Sequence, residues 1–341
     1  MSAAPIATGY KSNTTKANFI SMKILVFGKD GQLGKALHVL LDSLLPTLAH
    51  KPNINYVGRS ECDLADASAL EALLNQLQPQ LIINASAYTA VDRAETEPDL
   101  AFAINARAPE IMAQYAADHG ATFLHYSTDY VFDGEKYGYC LEDDIRNPLG
   151  VYGKSKAASE ETIARIFAGN AGSGQYAIFR TSWVYGNGGN FIRTILRLAK
   201  DREELKIIND QYGVPTSATW LAQVSLGLVA DDKLRIKEFP SGIYHAVPAG
   251  ETTWHGLACL AVQAALEDGA SLKIVPGAIK SIPAVEYPLP TPRPMNSRMS
   301  TDKLGQVLVG RGDMSKLEQL NQPWDIAVKA YVSNLAKDRL I

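Results

Sequence analysis

A doubly wound parallel α/β sheet carrying a smaller C-terminal lobe is the fold this sequence predicts, on three observations. Short apolar runs at 22–27, 54–57, 81–84 and 122–126 alternate with helical patterns, as in a parallel sheet covered on both faces. The first run passes directly into Gly28, Gly31 and Gly34, a spacing that suits a tight strand-to-helix turn. Beyond residue 185 the alternation loosens into loops, separate helices and a proline-rich stretch, as a second lobe requires.

Composition sets limits on function. With 341 residues, 46% hydrophobic and 20% charged, the chain can bury a large core. A net charge of −3 leaves no basic surplus for nucleic acid or an anionic membrane, so any phosphate recognition has to be local. The three cysteines, Cys62, Cys140 and Cys259, lie far apart without a Cys-x-x-Cys spacing. They argue against a disulfide framework and a zinc site, and a reducing cytoplasm is the expected compartment. No run approaches the ~18 apolar residues of a membrane span. Residues 1–21, rich in Ser, Thr, Asn and Ala, read as a disordered extension outside the fold.

The strand at 22–27 and the amphipathic helix at 32–45 bracket the glycine turn. Three glycines there permit close approach of a pyrophosphate to the backbone, with the anion on the helix N-terminus beside Gln32 and Leu33. The strand at 54–57 ends in Gly58, Arg59 and Ser60 rather than an acidic residue. A cation there suits the 2′-phosphate of NADP(H), the alternative being a solvated loop arginine. Asp63 and Leu64 follow where an adenine is expected, and Asp66 can cap a helix at 67–77. The strand at 81–84 opens into small residues that let a flat cofactor lie close; Ala87, Tyr88 and Thr89 are candidate contacts. A helix at 98–119, carrying Asn105, leads to a strand at 122–126 and then to Ser127, Thr128 and Asp129. Tyr126 at that strand's end is counted among the cofactor contacts, Thr128 is placed to hydrogen-bond a substrate carbonyl, and His125 reads as a packed core residue.

Residues 148–160 set Tyr152 and Lys156 four apart on one helix face. An ammonium beside a phenol is expected to lower its ordinary pKa near ~10, giving a usable acid or base. Past residue 185 come a loop at 186–190, helices at 191–200, 220–229 and 254–266, and a strand and turn over 207–216. A strand at 243–246 rejoins the main sheet, residues 276–294 form an ordered extended segment, and a terminal helix spans 324–337. Asn190, Arg193, Arg293 and Arg298 are candidates for a diphosphate. The expected division is an NAD(P)-binding domain at 22–185, to which 205–250 partly returns, and an interleaved substrate lobe at 186–341.

Together the glycine turn, the run from Ser127 to Phe132 and the run from Val151 to Lys156 resemble the extended short-chain dehydrogenases/reductases, a Rossmann-type family acting on sugar nucleotides. The runs 180–186, 208–216, 242–245 and 292–298 are similar, in the same order, to those of the dTDP-4-dehydrorhamnose reductase family. That resemblance implies hydride transfer from NADPH, or NADH in some members, to C4 of dTDP-4-dehydro-L-rhamnose. It also implies Tyr152 as proton donor, Lys156 as its modulator and ribose contact, Thr128 orienting the carbonyl, and Asp129 and Trp183 touching the sugar nucleotide. Tyr130 stands where related dehydratases carry a glutamate, which argues against dehydration. Some members form a magnesium-mediated dimer through an acidic residue after the glycine turn; residues 35–38 here contain none, so no metal is expected and monomer and homodimer both stay open. Two alternatives remain at this point: a non-catalytic NADP-binding regulator, similar to the regulatory beta subunit of methionine adenosyltransferase, and a reductase for another nucleotide-linked 4-ketosugar.

Overall fold

A computed structural model describes residues 21–170, 172 and 174–338. The N-terminal extension therefore lies outside the described residues except Ser21, whose hydroxyl donates to Lys51 O at 2.7 Å.

Strand and helix alternate as the apolar runs predict. β1 (Lys23–Phe27) leads to α1 (Gln32–Leu44), and β2 (Asn53–Val57) to α2 (Ala67–Leu77), whose first turn is capped by Asp66. β3 (Leu81–Asn84) is followed by α3 (Val91–Ala94), α4 (Pro98–Phe102) and α5 (Ala108–His119). Between α4 and α5 lies a π-helical turn, Ala103–Arg107, so the helix expected over 98–119 is continuous but locally widened. β4 (Thr122–Thr128) runs to Thr128, two residues further than the sequence pattern indicates. Then come α6 (Val151–Gly169), β5 (Gln175–Thr181), β6 (Val184–Tyr185) and α7 (Phe191–Asp201). The short strands β7 (Leu205–Ile208), β8 (Tyr212–Gly213) and β9 (Thr216–Ser217) precede α8 (Ala218–Val229) and β10 (Gly242–His245).

The main sheet has the order β10-β5-β4-β3-β1-β2, with every pair parallel. Order reverses between β1 and β3, the place where such sheets receive a ligand beyond their strand ends. Leu25, Phe27, Ile82 and Phe123 face one core against α2 and α5; Ile24, Val26, Ile83 and Leu124 face another against α1 and α8. Burial on both faces explains why these strands are apolar throughout instead of alternating.

The second lobe packs α7 against α9 (Trp254–Glu267), which follows β11 (Thr252–Thr253), and α9 against α12 (Trp324–Lys337). Residues 276–294 are ordered, and their strand β12 (Ile279–Ile282) pairs in parallel with β7. Two helices that sequence periodicity does not reveal, α10 (Asp302–Gly310) and α11 (Met314–Leu320), cover the α8 side of the sheet through Leu304, Leu308 and Leu320.

Candidate active site

The site begins at the glycine turn. Gly28 has φ +85°, and a Cβ on it would lie 2.7 Å from Ala85 O in the loop after β3. At Gly34 a Cβ would fall 1.9 Å from Gly28 O, so α1 seats against the turn only because this residue has no side chain. No side chain caps α1 at Gly31, which leaves the first-turn N–H groups of Gln32, Leu33 and Gly34 for an external anion. These features fit a dinucleotide pyrophosphate. At the end of β2, Arg59 is exposed and its Nη2 lies 3.3 Å from Asp63 Oδ2. Lys29 Nζ meets Glu61 Oε1 at 2.6 Å, while Glu61 Oε2 accepts the Gly58 N–H at 2.8 Å. Two cations beside this strand end can meet a 2′-phosphate, although each has a carboxylate neighbour.

Across the crevice, the π turn aims the buried Asn105 at the loop after β3. Its Oδ1 accepts the Tyr88 N–H at 2.8 Å, and its Nδ2 donates to Tyr88 O and Ser155 Oγ, both at 3.0 Å. One side chain thereby ties that loop to α6. The Tyr88 phenol donates to Glu97, while Ala87 and Thr89 are exposed.

Thr128 ends β4 directly beside α6. Its hydroxyl donates to Asp129 Oδ1 at 2.9 Å and accepts the Tyr130 N–H at 3.2 Å, while the Tyr152 ring packs edge-on against Tyr130, centroids 5.4 Å apart. Gly153 permits this approach, since a Cβ there would strike Tyr130 O at 2.2 Å. Burial pushes the Tyr152 phenol up to about 12, against the lowering effect of Thr128. The expectation that Lys156 lowers it is not met: Lys156 Nζ turns to His125 Nε2, 3.1 Å away, and burial lowers the lysine to about 7. The geometric reason is strand alternation, which sends His125 and Ser127 from β4 toward α6. Tyr126 takes the opposite face. Its ring packs with Phe179 and its hydroxyl pairs with Ser225 at 2.6 Å, which corrects its reading as a cofactor contact through the side chain.

Beneath Lys156 lies a buried ion cluster. Glu160 receives Arg180 Nε at 2.9 Å and Nη2 at 2.7 Å, Arg146 Nη1 at 3.3 Å and the Ser127 hydroxyl at 2.5 Å. Asp129 is also buried, holding the Ser297 hydroxyl on Oδ2 at 2.5 Å; burial lifts its carboxyl to about 6.

A cavity of about 720 Å³ opens from Tyr130, Ser297 and Arg293 into the second lobe. Trp183 and Trp254 stack on its wall, centroids 3.7 Å apart, with Phe191 against Trp254. Trp183 has φ +47°, an unusual conformation for a bulky residue, and a Cβ on Gly213 would lie 2.7 Å from its ring.

The family model described as the RmlD substrate binding domain matches residues 22–332. A dTDP-4-dehydrorhamnose reductase of Shigella flexneri is 41% identical over 289 residues, 84% of this chain and 91% of that protein. A dTDP-4-dehydrorhamnose reductase structure from Clostridium acetobutylicum superposes with a TM-score of 0.78 at 30% identity, covering 92% of this chain and 100% of that one. Another from Bacillus anthracis, in complex with NADP, has a TM-score of 0.75 at 28% identity, covering 91% and 98%. The chain belongs to the dTDP-4-dehydrorhamnose reductase family.

Placed in this reductase fold, other residues expected at the site take different positions. Asn190 caps α7 through Oδ1 and spends Nδ2 on Gln32, Gly186 O, Gly188 O and Tyr331, so its polar atoms shape the loop and are not free for a diphosphate. Arg193 Nε likewise donates to Tyr331, at 2.9 Å. Arg298 pairs with Glu251 and Asn296 and borders a separate cavity of about 360 Å³ with Tyr139 and Met299, away from Trp183. Only Arg293 of the two arginines lines the large cavity, with Nη2 on Asp92 at 2.9 Å. The Leu64 side chain joins the core, so only its backbone can serve a cofactor. Sequence reasoning missed Ser297, Trp254 and Glu160, of which only Glu160, one helical turn after Lys156, carried a local signal.

Proposed function

We propose that this chain uses NADPH to reduce the C4 keto group of dTDP-4-dehydro-L-rhamnose, giving dTDP-L-rhamnose for nucleotide-sugar and cell-surface polysaccharide biosynthesis. The reading rests on family membership, and the observation that carries it to the residues is the edge-on contact of Tyr152 with Tyr130, whose ring lines the Trp183 cavity.

The glycine turn, the α1 N-terminus and Arg59 with Lys29 would hold the cofactor, and Lys156 its ribose. When bound, the nicotinamide supplies the hydride. Thr128 and Tyr152 both address the substrate carbonyl oxygen, the first by hydrogen bonding and the second by giving up its proton as negative charge develops. A phenol held near 12 keeps that proton at neutral pH until the alkoxide needs it. Trp183 and Trp254 offer a flat wall for the base or sugar ring, and Arg293 a charge for the diphosphate.

The test follows loss of NADPH absorbance with dTDP-4-dehydro-L-rhamnose for the wild type and Tyr152→Phe. The variant should lose roughly 10²–10⁴ in kcat, as removal of a general acid does, with little change in cofactor affinity. A wild type inert with NADPH and NADH yet binding either would overturn the proposal, and turnover of only another nucleotide ketosugar would move the substrate assignment.

A further inference from the structure

Asn84, at the end of β3, has an orientation its surroundings decide. Its Oδ1 accepts the Ser86 N–H at 3.1 Å, so its Nδ2 is the atom that faces His125 Nδ1, 3.2 Å away. An amide NH₂ only donates, so Nδ1 has to accept, and a neutral imidazole then carries its hydrogen on Nε2. Two atoms lie near that Nε2–H. Ser159 Oγ is 3.3 Å away and already donates its own hydrogen to Lys156 O, so it can accept. Lys156 Nζ is 3.1 Å away. An ammonium has no lone pair and would meet the imidazole N–H head-on, whereas an amine accepts it.

We infer that Asn84 locks His125 in its Nε2–H tautomer and thereby stores Lys156 as a neutral amine in the cofactor-free protein, so that cofactor binding at Lys156 is coupled to uptake of one proton. Asn84 and His125 are then positioning residues. The other charged groups around Lys156 are Glu160 and Tyr152 on its own helix, with Arg180 from β5 and Arg146 from the preceding loop already turned to Glu160. The direction of the Lys156 shift agrees: burial lowers it to about 7 and Glu160 only partly opposes this. The His125 imidazole is held neutral by the same burial.

The tautomer stands apart from the proposed function; the coupling rests on Lys156 contacting the cofactor. Long-range ¹H–¹⁵N correlation on ¹⁵N-histidine-labelled, cofactor-free protein reads the tautomer directly, with the His125 signal assigned by its loss in His125→Gln. The wild type should show Nε2–H, and Asn84→Asp, which offers a carboxylate acceptor, should move the hydrogen to Nδ1. An Nδ1–H tautomer in the wild type overturns the inference. Calorimetric binding of NADH, which has no titrating 2′-phosphate, at pH 8 in two buffers of different ionisation heat should show uptake of the greater part of one proton in the wild type. Asn84→Asp should take up less than half of that. Binding without uptake in the wild type refutes the coupling, whereas failure to bind either cofactor refutes the proposed function and leaves the tautomer to the spectrum.

Discussion

Asp129→Asn is expected to stabilise the protein at neutral pH while impairing turnover. The Asp129 carboxylate is 2% exposed and holds two hydroxyls, those of Ser297 and Thr128. Burial outweighs these hydrogen bonds and lifts the carboxyl from 3.8 to about 6. A folded-state pKa above the unfolded one means that the native protein holds the proton more tightly. Stability is therefore greatest below the unfolded value and falls as pH rises through the window from 3.8 to about 6. The full interval corresponds to roughly 3 kcal/mol at pH 7.5, of which about half is present at pH 5. Asparagine has no such penalty; its Oδ1 still accepts from Thr128, and the Ser297 hydroxyl can rotate to accept from Nδ2. A net gain of about 1–3 kcal/mol is expected at pH 7.5, a rise of a few degrees in Tm for a chain of this size. Thermal unfolding at pH 5 and 7.5, wild type against variant, measures it. A variant less stable at pH 7.5, or one whose advantage does not shrink by pH 5, would refute the account of Asp129 as a strained charge retained for function.

Gly34→Ala places a methyl 1.9 Å from Gly28 O and should weaken NADPH binding more than tenfold, measured by fluorescence titration, with a lowered Tm as the turn is forced open. Arg59→Ala should lower the ratio of kcat/KM for NADPH to that for NADH at least tenfold while leaving the NADH value nearly unchanged; equal losses with both would return Arg59 to a solvated pair with Asp63. Glu160→Gln leaves Arg180, itself 1% exposed, without its charge partner, and should cost about 3–5 kcal/mol in denaturant unfolding.

The glycine turn and the main sheet were legible because their signals are local. Gly28, Gly31 and Gly34 declare a turn wherever they follow a strand, and β1, β3 and β4 are apolar because both faces are covered. The Trp183 cavity depends on residues distant in sequence. Ser297 reaches Asp129 from 168 residues away. Trp183 finds Trp254 across the lobe, in a backbone conformation that needs the open space at Gly213. Periodicity contains none of this. Even the four-residue spacing of Tyr152 and Lys156 fixed only a shared helix face, and burial decided their ionisation, raising the phenol and lowering the ammonium. Alternation along β4 sends His125 and Ser127 to α6 and Tyr126 to α8, so the strand that looked uniform in sequence meets Lys156 and Glu160 with one parity and Ser225 with the other. A one-residue slip of β4 would exchange them, bringing the Tyr126 phenol under Lys156 and burying His125 beside Phe179. The register of that strand against β3 and β5, as much as the Tyr152–Lys156 spacing, therefore gives the lysine its neighbour.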